Sequence, residues 1–212
     1  MIGFMTQYAK TKQSDWTRET GNLLSTAYKF GLRHKRNGLL YLKLENNCSD
    51  HQRELFLTYK SNIEQEMKEL WKDVINLLDV DIIPKCKTDM WLCFFHRVKG
   101  DFYYYHCLYF SHDRHSKEWS ATQCYDSLKM AETFATNLPT THPIRLSLAL
   151  SLTNFLIEFL HCNRWGSQVA SKAFSDALNS FEDIPESDYE ETTVLLQLLR
   201  DRQLDMSTSS VA

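Results

Sequence analysis

The 212-residue chain carries 24 Lys and Arg against 27 Asp and Glu, and its formal net charge of −3 argues against a broad nucleic-acid surface. Hydrophobic residues make up 43% and charged residues 24%, which is typical of a globular protein with one sizeable core. No apolar run approaches the ~18 residues of a membrane span, and no signal-peptide pattern opens the chain. We therefore expect an intracellular protein that binds neither nucleic acid nor membrane, with its six cysteines reduced.

Apolar residues recur at helical spacing over most of the chain, and only six glycines and four prolines interrupt them. The first part is predicted to form a short helix over 1–10 and a longer one over 17–44. A third helix begins at residue 50 and ends near residue 83, because Pro84 cannot continue it.

Residues 90–110 are apolar and aromatic nearly all round, which is typical of a helix buried on most sides. A strand is the competing interpretation for such aromatic density. The length of the segment without a turn signal, and the helical spacing of Arg97, Asp101 and Leu108, favour the helix.

The second half of the chain continues as helices. Pro139 ends one of them, and Pro143 after His142 opens the next, because proline suits the first turn of a helix. Ser187 followed by Glu190 predicts a capping box at the start of the last helix. The predicted helices of this half cover about 116–137, 144–160, 164–181 and 187–205.

These elements predict an all-α antiparallel array of about eight helices with mostly short connections. No 34- or 40-residue signature recurs, so a solenoid is rejected. We expect one domain over residues 1–205, followed by a short disordered tail over 206–212.

The helix predicted over 17–44 carries a stripe of three cations. At ~100° per residue, Lys29 and Arg36 differ by only ~20° about the helix axis and lie about 10 Å apart along it, and Arg33 shares their face. No Asp or Glu falls between positions 20 and 44. A solvated basic face is the ordinary explanation. The alternative is an anion-binding site, because guanidinium and ammonium groups on one face match a phosphate well.

Metal and catalytic sites have weaker support. Cys and His pairs bind zinc only when two of them converge, and core thiols with surface imidazoles explain the present pairs better. The possible nucleophiles lack a recognisable elbow or acid–base partner motif, so we predict no enzyme, no metal and no cofactor. The pairs are Cys93-x-x-His96, His106-Cys107 and His112-x-x-His115, and the possible nucleophiles are Ser25, Ser151 and Cys107.

Five stretches, spread in order over residues 1–205, together resemble the 14-3-3 family. They are NLLSTAYK (22–29), VKGDFYYY (98–105), THPIRLSLAL (141–150), KAFSDAL (172–178) and LLQLLRD (195–201). The resemblance implies antiparallel helices that form a concave amphipathic groove, without enzymatic activity. It also implies a cytoplasmic, or cytoplasmic and nuclear, adaptor in signal transduction that binds phosphoserine or phosphothreonine segments of client proteins.

The resemblance assigns phosphate contact to Lys29, Arg36 and Tyr105, with Arg97 at the place of a nearby lysine. The family's second arginine is replaced by Tyr104, a change expected to weaken phosphopeptide binding roughly ten- to a hundredfold. We hypothesise that Arg33, which stands where the family has a small residue, compensates. The alternative is that Arg33 points to water or blocks the groove.

The resemblance also assigns a peptide-binding groove. Ser151 and Arg202 replace two asparagines that hold the bound peptide in the family, and Met206 stands at the place of a tryptophan. The groove residues predicted in this way are Leu150, Ser151, Asn154, Glu158, Val194, Leu195, Leu198 and Arg202.

The resemblance further implies a homo- or heterodimer. The chain begins after the family's first helix, which carries much of the dimer interface, and a truncated gene model explains this equally simply. Glu66 matches one interface residue, and Asn62 replaces an interface lysine. We expect a weakened dimer, or a monomer with an exposed apolar strip.

A rival function follows from the same departures. In it the fold persists, but the groove no longer depends on phosphate and binds unphosphorylated acidic or amphipathic segments, or the protein acts only structurally. The affinities for matched phosphorylated and unphosphorylated peptides separate the two functions.

Overall fold

The computed structural model describes residues 1–11, 16–41, 49–110 and 113–209. Within these residues the chain forms eight α-helices and no strand, which confirms the predicted all-α class. The helices are α1 (Ile2–Thr11), α2 (Arg18–Tyr41), α3 (Asp50–Asn76), α4 (Asp89–Tyr109), α5 (Arg114–Ala135), α6 (Pro143–Asn154), α7 (Asn163–Leu178) and α8 (Glu186–Ser209).

Two helices end in irregular turns that the apolar pattern did not predict. After α3 the chain continues as a π-helix over Leu77–Ile82 and a 3₁₀ turn over Ile83–Lys85, where Pro84 lacks the N–H that an α-helix needs. After α6 a second π-helix covers Phe155–Phe159. It stops before His161, whose positive φ of 53° is a left-handed conformation that ends helices.

Helix starts follow local capping chemistry. Ser49 and Gln52 form a reciprocal capping box at α3, since the Ser49 hydroxyl accepts from the Gln52 N–H and the Gln52 side chain accepts from the Ser49 N–H. The capping box predicted at Ser187 was wrong. Helix α8 already begins at Glu186, directly after Pro185, and the Ser187 hydroxyl donates to Asp188 Oδ1 at 3.2 Å instead.

The predicted ends of two helices also differ from the structure. Helix α8 extends to Ser209, past the expected end at Asp205, because no glycine or proline interrupts it. The first four residues of the predicted tail are therefore helical, and 210–212 lie outside the described residues. Helix α2 is described to Tyr41, and its predicted end at Leu44 falls outside the described residues as well.

The helices cluster into two compact units. The first unit comprises residues 1–86 and 105–120, and the second comprises 87–104 and 121–212. Helix α4 contributes residues to both. The single domain over 1–205 stays a prediction.

The core of the first unit forms where α1 and α3 pack on α2. The apolar residues that α2 buries are at most 2% exposed, and the Tyr28 hydroxyl lies 2.7 Å from Thr6 Oγ1 on α1. A Cβ at Gly31 would lie 2.8 Å from Ile2 Cδ1 and 3.0 Å from Leu70 Cδ2, so a glycine lets three helices approach here. These apolar residues are Leu24, Ala27, Tyr28 and Leu32, and Ser25 on the same helix is also buried.

The core of the second unit confirms the predicted burial of α4. Phe95 and Phe102 on this helix are fully buried. At Gly100 helix α5 comes so close that an added Cβ would lie 2.8 Å from Leu128 and 3.4 Å from the Cys124 carbonyl. Close packing of α4 on α5 therefore depends on the missing side chain at position 100.

Replacing Gly100 by valine is expected to lower the free energy of unfolding by about 1–3 kcal/mol, because the added Cβ and its two methyl groups must displace Leu128. Urea unfolding followed by circular dichroism measures the change. Gly38→Ala is the matched control: nothing lies within 4 Å of its added Cβ, and its helix propensity should raise stability by up to about 1 kcal/mol. A Gly100→Val variant as stable as the parent would contradict the packing described here.

Candidate anion-binding site

A pocket of about 290 Å³ in the first unit gathers the cation stripe of α2 and two tyrosines of α4. Six lining residues come from α2, and one of them, Leu32, also packs in the core. The lining residues, which we call the anion pocket, are Thr26, Lys29, Phe30, Leu32, Arg33, Arg36, Tyr105 and Tyr109.

The three cations reach the anion pocket to different depths. Lys29 and Arg36 are half-buried, whereas Arg33 is exposed. The buried residues Tyr28 and Leu32 fix the rotation of α2, so the stripe faces the pocket. The helical spacing of the three cations, which suggested an anion-binding site, thus places all three side chains in the lining of one cavity, together with Tyr105.

Two aromatic contacts hold the pocket's donors in place. The Arg36 guanidinium carbon lies 4.2 Å from the centroid of the Tyr109 ring, within cation–π distance. Tyr109 in turn stacks on Tyr105 with centroids 5.7 Å apart and ring planes 19° apart. Stacking leaves the in-plane N–H groups of the guanidinium available to an anion. Tyr109 was not predicted from the sequence, although its i,i+4 spacing from Tyr105 indicates that the two rings share one face of α4.

Arg33 stands at the exposed side of the pocket. Its guanidinium carbon lies 6.0 Å from the Phe30 centroid, and the Phe30 ring stacks on His34 with centroids 6.1 Å apart and planes 11° apart. Arg33 is therefore both exposed, as one alternative predicted, and part of the anion pocket, as the other required.

The pocket has a strongly positive lining. Lys29, Arg33 and Arg36 give it three formal charges, and no Asp or Glu is among the described residues that line it. The neighbouring Lys35 is not part of the lining and forms an ion pair with Glu66 of α3. An anion that enters the pocket therefore meets opposite charge.

In the second unit, two departures from the family pattern meet at one carboxylate. The Tyr104 hydroxyl donates to Glu158 Oε2 at 2.8 Å, and Arg202 Nη2 donates to Glu158 Oε1 at 2.6 Å. Glu158 is thus held by a tyrosine of α4 and by a cation of α8. Sequence reasoning treated the two changes as separate losses, because 98 positions of chain separate them.

Arg97 also belongs to the second unit. Its Nη1 donates to Asp101 Oδ2 at 3.0 Å, and both side chains are largely buried, at 11% and 14% exposed. Its guanidinium carbon lies 5.1 Å from the Phe94 ring centroid. Arg97 and Asp101, four positions apart on α4, thus form an ion pair, so this cation already carries its own counter-ion.

The predicted groove residues differ in how much surface they offer. Val194 and Leu198 are exposed, at 53% and 44%. Leu195, also predicted on the groove wall, is 9% exposed and packs in the core with Leu146, Ala170 and Leu199. Leu150, Ser151 and Asn154 are half-buried. The Asn154 side-chain oxygen is buried without a hydrogen-bond partner among the described residues.

The cysteines and histidines do not assemble a metal site in the part of the chain that the structure describes, where no three metal-binding side chains come together. Burial raises the pKa of Cys93 and of Cys107 to about 12, so both thiols stay protonated and unreactive. His112 falls outside the described residues.

His106 is not the surface imidazole that the sequence suggested. Its ring lies among Trp71, Phe110 and Trp119, at centroid distances of 4.3, 5.4 and 6.1 Å. Nδ1 lies 2.7 Å from the Ser120 hydroxyl. Burial, and secondarily the charge of Lys68, lower the pKa of His106 to about 4.

Acid is expected to destabilise the protein through His106. Because the pKa is about 4 in the folded state and near 6.5 in the unfolded state, the unfolded chain binds the extra proton first. The stabilisation is complete above pH 6.5 and is lost as the pH falls towards 4, by on the order of 2 kcal/mol. Urea unfolding at pH 7 and pH 5 measures this loss, and His106→Phe should reduce it. An unchanged pH dependence in that variant would exclude His106 as its source.

Comparison with known proteins agrees with this architecture. The model of the family described as 14-3-3 protein matches residues 1–204. "14-3-3 protein I" of Plasmodium falciparum is 33% identical over 202 residues, covering 92% of this chain and 76% of the relative. A "14-3-3 protein homolog" of Trichoderma harzianum is 34% identical over 208 residues, covering 95% and 78%. "Protein BMH1" of Saccharomyces cerevisiae is 34% identical over 205 residues, covering 92% and 76%.

Among the described helices, none combines the length and the apolar character that crossing a bilayer requires.

The family match spans nearly the whole chain, and proteins of this family are non-enzymatic adaptors. An adaptor or regulatory role in signalling follows from this membership. The residues, the helices and the comparisons agree: the chain belongs to the 14-3-3 family.

Proposed function

We propose that the protein binds phosphoserine or phosphothreonine segments of client proteins, with the phosphate in the anion pocket of the first unit. One observation carries the proposal: Lys29, Arg33 and Arg36 line a single cavity with Tyr105, and no carboxylate lines it among the described residues. A phosphate near neutral pH carries close to two negative charges and several acceptor oxygens. Three cationic side chains and one hydroxyl are a donor set that suits it.

In this proposal the three cations have different tasks. The ammonium of Lys29 acts as a point charge, whereas the planar fork of Arg36 binds two phosphate oxygens at once. The stacked ring of Tyr109 fixes the Arg36 fork before the ligand arrives, which lowers the entropy lost on binding. The exposed Arg33 supplies the third cation at the mouth of the pocket.

The rival function, binding without phosphate dependence, has its own supporting observation. Tyr104 and Arg202 are both engaged with Glu158, so neither position presents an uncommitted cation in the second unit. If the remaining cations are too few, the protein binds unmodified acidic or amphipathic segments, or none.

A calorimetric titration with one phosphoserine peptide and its unmodified twin tests the proposal. Each charge-assisted hydrogen bond contributes about 1.5–3 kcal/mol, so two such bonds predict at least a 100-fold preference for the phosphorylated peptide. Equal affinity for the two peptides would favour the rival, and the absence of any binding would contradict the proposal.

The assembly of the protein is the second part of the proposal. Members of this family dimerise, and we propose that this chain forms a weak dimer. Glu66, which matches a family interface residue, is already ion-paired with Lys35 of the same unit, and Asn62 offers no charge. Light scattering at low micromolar concentration is expected to give a mass near that of the monomer, 25.0 kDa. A tight dimer under these conditions would contradict the expectation.

A further inference from the structure

The anion pocket is larger than a phosphate group. Its volume of about 290 Å³ is close to the lower end of the range of small-molecule pockets, about 300–1,000 Å³. A phosphate, with five heavy atoms, leaves part of this space unoccupied. The part of the lining that is not cationic includes the rings of Phe30 on α2 and Tyr109 on α4.

Only one of these two rings presents a large exposed surface. Tyr109 is engaged within the unit, since Arg36 lies over its ring and Tyr105 stacks on it. Phe30 stacks on His34 and is still 53% exposed at the border of the pocket. A single exposed phenylalanine is ordinary on a protein surface. The Phe30 ring lies beside the Arg33 guanidinium, and Lys29 directly precedes it in the chain. An apolar ring and two cations therefore line the same pocket.

These features fit a ligand whose phosphate is attached directly to an aromatic ring. With the phosphate between Lys29 and Arg36, a ring bonded to its ester oxygen would occupy the remaining space beside Phe30. Ring pairs are stabilised by stacked or edge-to-face packing, and the Arg33 guanidinium adds a cation–π contact. A phosphoserine has only a methylene group at that place and would leave the Phe30 ring in water.

Building on the phosphate site proposed above, we infer that the anion pocket binds aryl phosphates, and phosphotyrosine in particular, more tightly than alkyl phosphates. Phe30 is the specificity-determining residue for this preference, and the cations serve both kinds of ligand. Aromatic pairing predicts an affinity for a phosphotyrosine peptide about three- to tenfold higher than for the same peptide with phosphoserine.

Four peptides that differ at one position test this inference: phosphotyrosine, phosphoserine, tyrosine and serine. Each is titrated into the wild-type protein, the Phe30→Ala variant and the Phe4→Ala variant. Phe4 is the matched control, because it is a 71% exposed phenylalanine of the same unit that does not line the pocket. Phenyl phosphate and inorganic phosphate repeat the comparison without a peptide backbone.

The expected result is a three- to tenfold preference for phosphotyrosine that falls to about one in Phe30→Ala and persists in Phe4→Ala. Phosphoserine binding should be the same in all three proteins. If phosphoserine binds as tightly as phosphotyrosine in the wild type, or if Phe30→Ala keeps the preference, the inference is overturned while the proposed phosphate site stands. If neither phosphorylated peptide binds better than its unmodified twin, both fail.

Discussion

Replacing Arg36 by glutamate is expected to lower the affinity for a phosphoserine peptide at least about 100-fold. The change removes a guanidinium whose two bonds to phosphate are worth about 1.5–3 kcal/mol each and puts a like charge in the pocket. Tyr109 loses its cation–π partner at the same time. Fluorescence anisotropy with a labelled phosphopeptide measures the change.

Arg53→Glu is the matched control for this variant. Arg53 lies on α3 in the same unit, is exposed and does not line the anion pocket, and its replacement alters the net charge by the same amount. Long-range electrostatic effects should therefore be similar in the two variants. If both variants lose affinity equally, the general charge of the protein, and not the pocket, attracts the peptide.

Replacing Tyr28 by alanine is expected to lower the free energy of unfolding by about 3–5 kcal/mol, which is a large part of the stability of a typical domain. Tyr28 is 1% exposed, and its hydroxyl lies 2.7 Å from Thr6 Oγ1 of α1. Truncation leaves a cavity between α2 and its neighbours. Because this packing sets the rotation of α2, the variant should also bind phosphopeptide more weakly.

Tyr28→Phe separates the ring from its hydroxyl. It keeps the packing and removes only the contact with Thr6, so it should cost about 1 kcal/mol. Chemical denaturation of both variants gives the comparison. Equal losses in the two variants would mean that the hydroxyl, and not the buried ring, holds α2 on the core.

The helices and the cation stripe could be predicted from the sequence because both depend on local spacing. Lys29, Arg33 and Arg36 lie on one helix, so the helical period alone places them on one face. The burial of α4 likewise follows from its aromatic composition. Helix ends were less predictable, since the π-helix at Leu77–Ile82 and the early start of α8 depend on single turns.

The remaining features depend on contacts between residues far apart in the chain. Glu158 meets Tyr104 from 54 positions away and Arg202 from 44, and no periodicity connects them. The sequence predicts a surface imidazole at His106, whereas in the structure its ring packs beside Trp71 of α3. Packing on another helix likewise turned Leu195 from the expected groove wall into the core. The sequence identifies which groups are present, whereas tertiary packing decides which of them meet.

The central claim is that a phosphate binds between Lys29 and Arg36, and arginine side-chain NMR tests it most directly. With ¹⁵N-labelled protein, adding a phosphoserine peptide should shift the Nε–H signal of Arg36 strongly and that of Arg33 to a lesser degree. The signal of Arg53 should stay in place, and the unmodified twin peptide should leave all three unchanged. An unmoved Arg36 signal in the presence of saturating phosphopeptide would contradict the claim.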